Sequence, residues 1–232
     1  GYKDVDYGMT TRELSRMIHQ AGIDLPAMPE AEFDDPFGGA TGSGVIFGAT
    51  GGVMEAALRS VIELVTGKTV ENFYDHADIV PVRGTEGLRL VEIPINEVGP
   101  VPDILKHLVP SWDWLLGAKL RVGVAHGTAN AHKVMEDIKA GGPFSECHFI
   151  EFMACPGGCL GGGGQPIPTS PEIRKKRAEA IYAEDKGCEI RKSHENPAVV
   201  KLYGEFLIDG PCGEKSHHLL HTHYTARGKY ID

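Results

Sequence analysis

A chain of 232 residues, 41% of them hydrophobic, is long enough to bury a core that needs no disulfide staples. A formal charge of −9 argues against the clustered Lys and Arg that nucleic acid or an anionic membrane would require, so neither is expected as a partner. No apolar run approaches the roughly 20 residues that cross a bilayer, and the opening GYKDVDYGMTTREL is too polar for a secretory signal.

In chain order, Thr10 to Ala21 predicts a helix: Thr10 and Glu13 have capping-box spacing, and Leu14, Met17, Ile18 and Ala21 share a face that should pack. Gly22 to Ser43, rich in Pro, Gly and acids, reads as a long loop. GVIF (Gly44 to Phe47) predicts a short buried strand, GATGG a turn, and Val53 to Gly67 a helix. Leu88 to Ile95 and Lys119 to Gly127 predict two further strands. A helix is expected from Thr128 to the glycine pair 141 and 142, and another strand from His148 to Ala154. Ser170 and Pro171 open a charged helix, and Pro197 to Leu207 a shorter one. Strands alternating with helices predict an α/β fold, with a largely parallel sheet flanked by helices and an irregular C-terminal tail. The sequence opens at Gly1 without a methionine, which points to a start further upstream.

The stretch EFMACPGGCLGGGGQPI (Glu151 to Ile167) carries the chemistry. Six of its seventeen residues are glycine, and Cys155 and Cys159 stand four apart within it. Pro156, Gly157 and Gly158 oppose a helix there, so a turn is expected. Glycine allows positive φ and close approach, so two thiols in such a turn suit an iron–sulfur cluster, which normally takes four cysteine thiolates. Two other readings remain open on the residues alone: a tight turn with small residues, and a redox disulfide. The odd count of five cysteines favours a reducing compartment over a secreted disulfide framework, which makes the cytoplasm the expected location with the periplasm, reached through a partner chain, as the alternative. Elsewhere, GATGG lacks the Lys-Ser/Thr of a phosphate loop. His217, His218, His221 and His223 read as a structural tail rather than a zinc site. His126, at a strand end, reads as a packed and hydrogen-bonded histidine.

FMACPGGCLGGGGQP (Phe152 to Pro166) resembles the third cluster-binding motif of FeFe-hydrogenases. Three further stretches agree with that family in order: DVDYGMTTREL followed by Glu32 to Arg59, then RVGVAHGTANA (Arg121 to Ala131), and HHLLHTHY (His217 to Tyr224). The resemblance implies that residues 1–232 form the C-terminal portion of the catalytic domain, one lobe of two, with residues 208–232 resembling the small-subunit segment. It implies an H-cluster, in which a four-iron four-sulfur cubane is joined to a diiron centre bearing CO, cyanide and a dithiolate. By motif position, Cys155 would bind the cubane and Cys159 would bridge cubane and iron pair. Met153, Phe47 and Gly48 would line a dry pocket around the irons. The family's other motifs, TSCCP and MPCxxK, are absent from this sequence, so the remaining ligands and the proton path would come from an N-terminal part or a second chain. The implied activity is reversible hydrogen oxidation and proton reduction, with ferredoxin or a similar carrier as electron partner and hydrogen and protons as the small molecules exchanged. An iron–sulfur scaffold or redox sensor without hydrogenase activity is the alternative, and a thiol–disulfide protein using Cys155 and Cys159 is a third.

Overall fold

The computed structural model describes residues 5–31, 39–72, 75–223 and 225–226. The acidic part of the long loop at 32–38, the first four residues, Tyr224 and the end of the tail at 227–232 lie outside the described residues.

Helix α1 is Thr11–Gln20, and its capping box forms as the sequence predicts: Thr10 Oγ1 accepts from the Glu13 amide at 3.2 Å, and Glu13 Oε2 accepts from the Thr10 amide at 2.7 Å. The expected packing does not follow. No residue of α1 is buried, and Leu14 and Met17 keep 46% and 53% of their surface. GVIF is not a strand either. Thr41 caps a four-residue helix α2, Gly42–Val45, by accepting from the Gly44 amide at 3.2 Å, and a 3-10 turn follows over Ile46–Gly48. A four-residue apolar run has no periodicity to separate strand from helix, so the cap at Thr41 settles the conformation.

Helix α3, Gly52–Thr66, runs between left-handed glycines at each end, Gly51 (φ +86°) and Gly67 (φ +69°). It lays Met54 and Leu58 against a three-stranded sheet. Strand β1 is Leu88–Pro94, β2 Lys119–His126 and β3 Phe149–Met153, in the order β1-β2-β3. The core joins Met54 and Leu58 to Ile79, Val82, Ile93, Val122 and Val124. The fold is α/β with helices flanking the sheet, but the sheet is mixed rather than largely parallel. β1 pairs antiparallel with β2, from Leu88↔Ala125 to Pro94↔Lys119, and only β2 and β3 are parallel. The 24 residues between β1 and β2 contain only short 3-10 turns, so no crossover helix imposes a parallel return there. Helix α4, Thr128–Lys139, makes that crossover between β2 and β3. Helices α5 (Pro171–Gly187), α6 (Pro197–Glu205) and α7 (Glu214–Leu220) complete the chain, so the expected irregular tail holds a short helix.

A buried ion network fastens α5 to α3. Arg59 is fully buried, donating to Glu55 at 2.6 Å within α3 and to both oxygens of Asp185 in α5 at 2.7 and 2.8 Å. Arg83 and the Tyr182 hydroxyl converge on the same Glu55, at 2.6 and 2.9 Å. Each charge there has partners, which is the condition for tolerating burial.

Candidate functional site

The parallel register sets His126 opposite Met153, so β2 and β3 release the chain at the same end of the sheet, where α/β folds build their sites. From β3 the chain enters the cysteine loop, in which Gly158 and Gly162 donate to the carbonyls of Cys155 and Cys159, each at 3.0 Å. Its neighbours hold it in place. The Gly157 amide donates to His126 Nδ1 at 3.1 Å, and the Gly157 carbonyl accepts from the Thr50 amide at 3.0 Å. With Nδ1 an acceptor, Nε2 carries the proton and faces the Thr85 carbonyl at 3.3 Å, so His126 is the packed, hydrogen-bonded histidine expected of it. From α5, Arg177 donates to the carbonyls of Leu160 and Pro166, each at 2.8 Å, and from α1, Arg12 donates to the Gly163 carbonyl at 2.7 Å.

Gly158 explains the glycine pair. It sits at φ +90°, and a Cβ there would lie 2.8 Å from Met153 Sδ, 2.8 Å from the Thr50 nitrogen and 2.9 Å from the Gly48 oxygen. Absence of a side chain therefore lets Met153, the Gly48 turn and the cysteine loop meet at one point. Within the following run, a Cβ at Gly161 would meet the Pro156 oxygen at 1.8 Å, while Gly163 has open space around it.

Cys155 is half-buried and Cys159 exposed, and both are free thiols. Gly48 and Met153 are half-buried beside them, but Phe47 is 45% exposed and Phe152 44%. The dry pocket expected around Phe47 and Met153 is thus an open face among the described residues. Among the described residues, no third ligand joins the cysteine pair. Glu63, His194 and Glu195 are the only described group of three or more His, Cys or carboxylate residues within ligating reach of one another. Lys192 Nζ already occupies that group, 2.7 Å from Glu63 and 2.6 Å from Glu195. Burial raises the pKa of the Cys147 and Cys188 thiols, reinforced at Cys188 by Asp185 and Glu184, which disfavours the thiolate a metal needs. Cys212 is exposed in a turn at φ 59°. In the tail, His217 stacks on His221 with centroids 4.5 Å apart, and among the described residues the four histidines contribute to no group of three ligands.

Sequence reasoning passed over Glu151, Arg177 and the Arg59 network. Glu151 had a readable signal: it is the one carboxylate of β3, and it is the buried member, 5% exposed, while Phe152 beside it faces out. Two free thiols on a clamped glycine loop fit half the donor set of a cubane. The loop offers two free thiols toward a cluster type that normally takes four thiolates.

The family described as iron only hydrogenase large subunit, C-terminal domain, matches residues 1–163, and that described as iron hydrogenase small subunit matches residues 171–227. The NADP-reducing hydrogenase subunit HndD of Solidesulfovibrio fructosivorans is 43% identical over 228 residues, covering 98% of this chain and 34% of that protein. The cytosolic Fe-S cluster assembly factor narfl of Xenopus tropicalis is 29% identical over 231 residues, covering 97% of this chain and 42% of that one. Among solved structures, a variant of FeFe-hydrogenase HydA1 from Chlamydomonas reinhardtii superposes with a TM-score of 0.68 at 40% identity, covering 96% of this chain and 56% of the other. The chain spans between a third and a half of the length of these curated relatives.

Proposed function

We propose that this chain, which belongs to the iron-only hydrogenase family, forms one lobe of a hydrogenase that oxidises hydrogen and reduces protons reversibly at an H-cluster. The observation that carries this reading is the convergence at Gly158 of the cysteine loop, Met153 and the Gly48 turn, a construction that a pair of bystander thiols has no use for. Cys155 and Cys159 are the residues that would hold the cluster through their thiolates. When bound, the H-cluster supplies the redox and hydrogen-cleaving chemistry. The chain's own contribution is ligation and shape. His126, Arg177 and Arg12 fix the loop's backbone, and Met153, Gly48 and Phe47 present apolar surface that excludes water once the open face is covered.

The cover, two further thiolates and the proton path come from polypeptide bearing TSCCP and MPCxxK, N-terminal to this segment or on a second chain. Residues 208–232 serve as the tail of the small-subunit segment. The unpacked faces of α1 and Phe47 are where such polypeptide would seat. Electrons arrive from ferredoxin or a similar carrier, and the unpaired cysteines suit a reducing compartment, the cytoplasm. No described helix is long and apolar enough to cross a membrane.

A scaffold role in iron–sulfur assembly is the second reading, favoured by the likeness to a cluster assembly factor. Infrared spectra of the anaerobically purified complete protein separate the two. Bands of CO and cyanide, lost in Cys159→Ser, support the hydrogenase reading. A protein carrying iron and sulfide with neither band is a scaffold.

A further inference from the structure

Glu151 occupies the middle of β3, 5% exposed, where an apolar side chain would be ordinary. Its two carboxylate oxygens are spent on backbone a hundred residues earlier: Oε1 accepts from the Gly51 amide at 2.6 Å and Oε2 from the Met54 amide at 2.8 Å. These are N–H groups at the N-terminus of α3, which has no side-chain cap of its own because Gly51 stands at its N-cap position. The carboxylate therefore caps α3 from across the fold.

What it caps matters for the site. The turn leading into α3 contains Phe47, Gly48 and Thr50. The Thr50 amide reaches the Gly157 carbonyl, and the Gly48 oxygen abuts Gly158. Glu151 itself belongs to the strand that becomes the cysteine loop two residues past Met153. One carboxylate thus ties the Gly48 wall to the strand that delivers Cys155 and Cys159. We propose that Glu151 is a positioning residue that sets the spacing between the Phe47–Gly48 wall and the cysteine loop, and so the fit of whatever the loop ligates. The inference rests on the hydrogenase reading for the identity of that cluster, but not for the coupling itself.

The test compares Glu151→Gln and Glu151→Asp with a control, Glu63→Gln, in the complete protein. Glu63 is another buried α3 carboxylate, but it serves the Lys192 group at the far end of the helix. Glutamine turns an N–H toward one of the two amides, and aspartate falls one methylene short. Hydrogen exchange by mass spectrometry should rise about tenfold for residues 47–54 and also for residues 154–162 in Glu151→Gln, with a smaller rise in Glu151→Asp, as expected for losing one charge-assisted bond. The infrared or paramagnetic signature of the bound iron should shift or broaden in Glu151→Gln at unchanged iron content. Glu63→Gln should leave residues 154–162 and the iron signature alone. Exchange confined to residues 47–54, with an unaltered iron signature, would reduce Glu151 to a helix cap and overturn the proposal. If Glu151→Gln fails to fold, Glu151→Asp carries the same two readouts. Missing CO and cyanide bands in the unaltered protein would defeat the hydrogenase reading, whereas the exchange result would still decide the coupling.

Discussion

Changing Asp185 to asparagine tests how α5, and with it the clamp on the cysteine loop, is fastened to the rest of the fold. Asp185 is fully buried and accepts from Arg59 at 2.7 and 2.8 Å and from Arg191 at 3.0 Å. Asparagine keeps the shape but removes the charge, and it turns an amide NH2 toward guanidinium groups that can only donate. Breaking a fully buried pair from one side costs about 3–5 kcal/mol. For a unit of this size, about 2–4 °C per kcal/mol gives a fall in melting temperature of about 6–20 °C. The exposed pair Lys139–Glu136, 2.7 Å apart with side chains 67% and 54% exposed, serves as control. Glu136→Gln should leave the melting temperature essentially unchanged. Anaerobic thermal melts by circular dichroism measure both, and limited proteolysis should show cleavage near Pro166 rising in Asp185→Asn as the grip of Arg177 loosens. A shift below about 2 °C for Asp185→Asn would mean that water reaches the network and that burial is not what gives it strength.

Glycine substitutions separate close approach from mere flexibility. Gly158→Ala meets three atoms within 2.9 Å at a left-handed φ and should abolish iron binding, whereas Gly163→Ala, with nothing within 4 Å, should retain it; iron and sulfide assays decide. Cys155→Ser and Cys159→Ser should each lower iron per chain, and Cys188→Ser should not, as measured on anaerobically reconstituted complete protein. Burial opposes the Lys192 ammonium, but Glu195 and Glu63 outweigh it and hold its pKa above 10.5. A raised value of this kind contributes stability that is complete below the ordinary lysine pKa and lost as pH rises through the folded-state value. Melts should therefore decline above about pH 10.5, and Lys192→Met should be less stable at neutral pH with a shallower alkaline decline.

Local chemistry was legible wherever one residue type determines one conformation. The Thr10–Glu13 box, the Ser170–Pro171 opening and the glycine ends of α3 each declare themselves. The cysteine loop was legible as a turn for the same reason, since Pro156 and the positive-φ pair Gly157 and Gly158 exclude a helix, but what its thiols do was not legible from the residues alone. Long-range pairing was less accessible. β1 alternates buried and exposed along its length, a pattern of sheets with one wetted face, and that alternation argued for an antiparallel partner more strongly than the strand–helix order did for a parallel one. The Arg59–Asp185 contact joins residues 126 positions apart and has no periodicity to announce it. The apolar stripe on α1 reads like any core-facing stripe, and only the fold shows that it is not buried among the described residues.

β3 has five residues and pairs on one side only, so among the described residues its outer edge offers unsatisfied amides and carbonyls immediately before the cysteine loop. Such an edge is adhesive: an extended segment of another polypeptide or of a second copy of the chain can add to it as a further strand. An edge of this kind predisposes a concentrated sample to strand-by-strand association between copies of the chain.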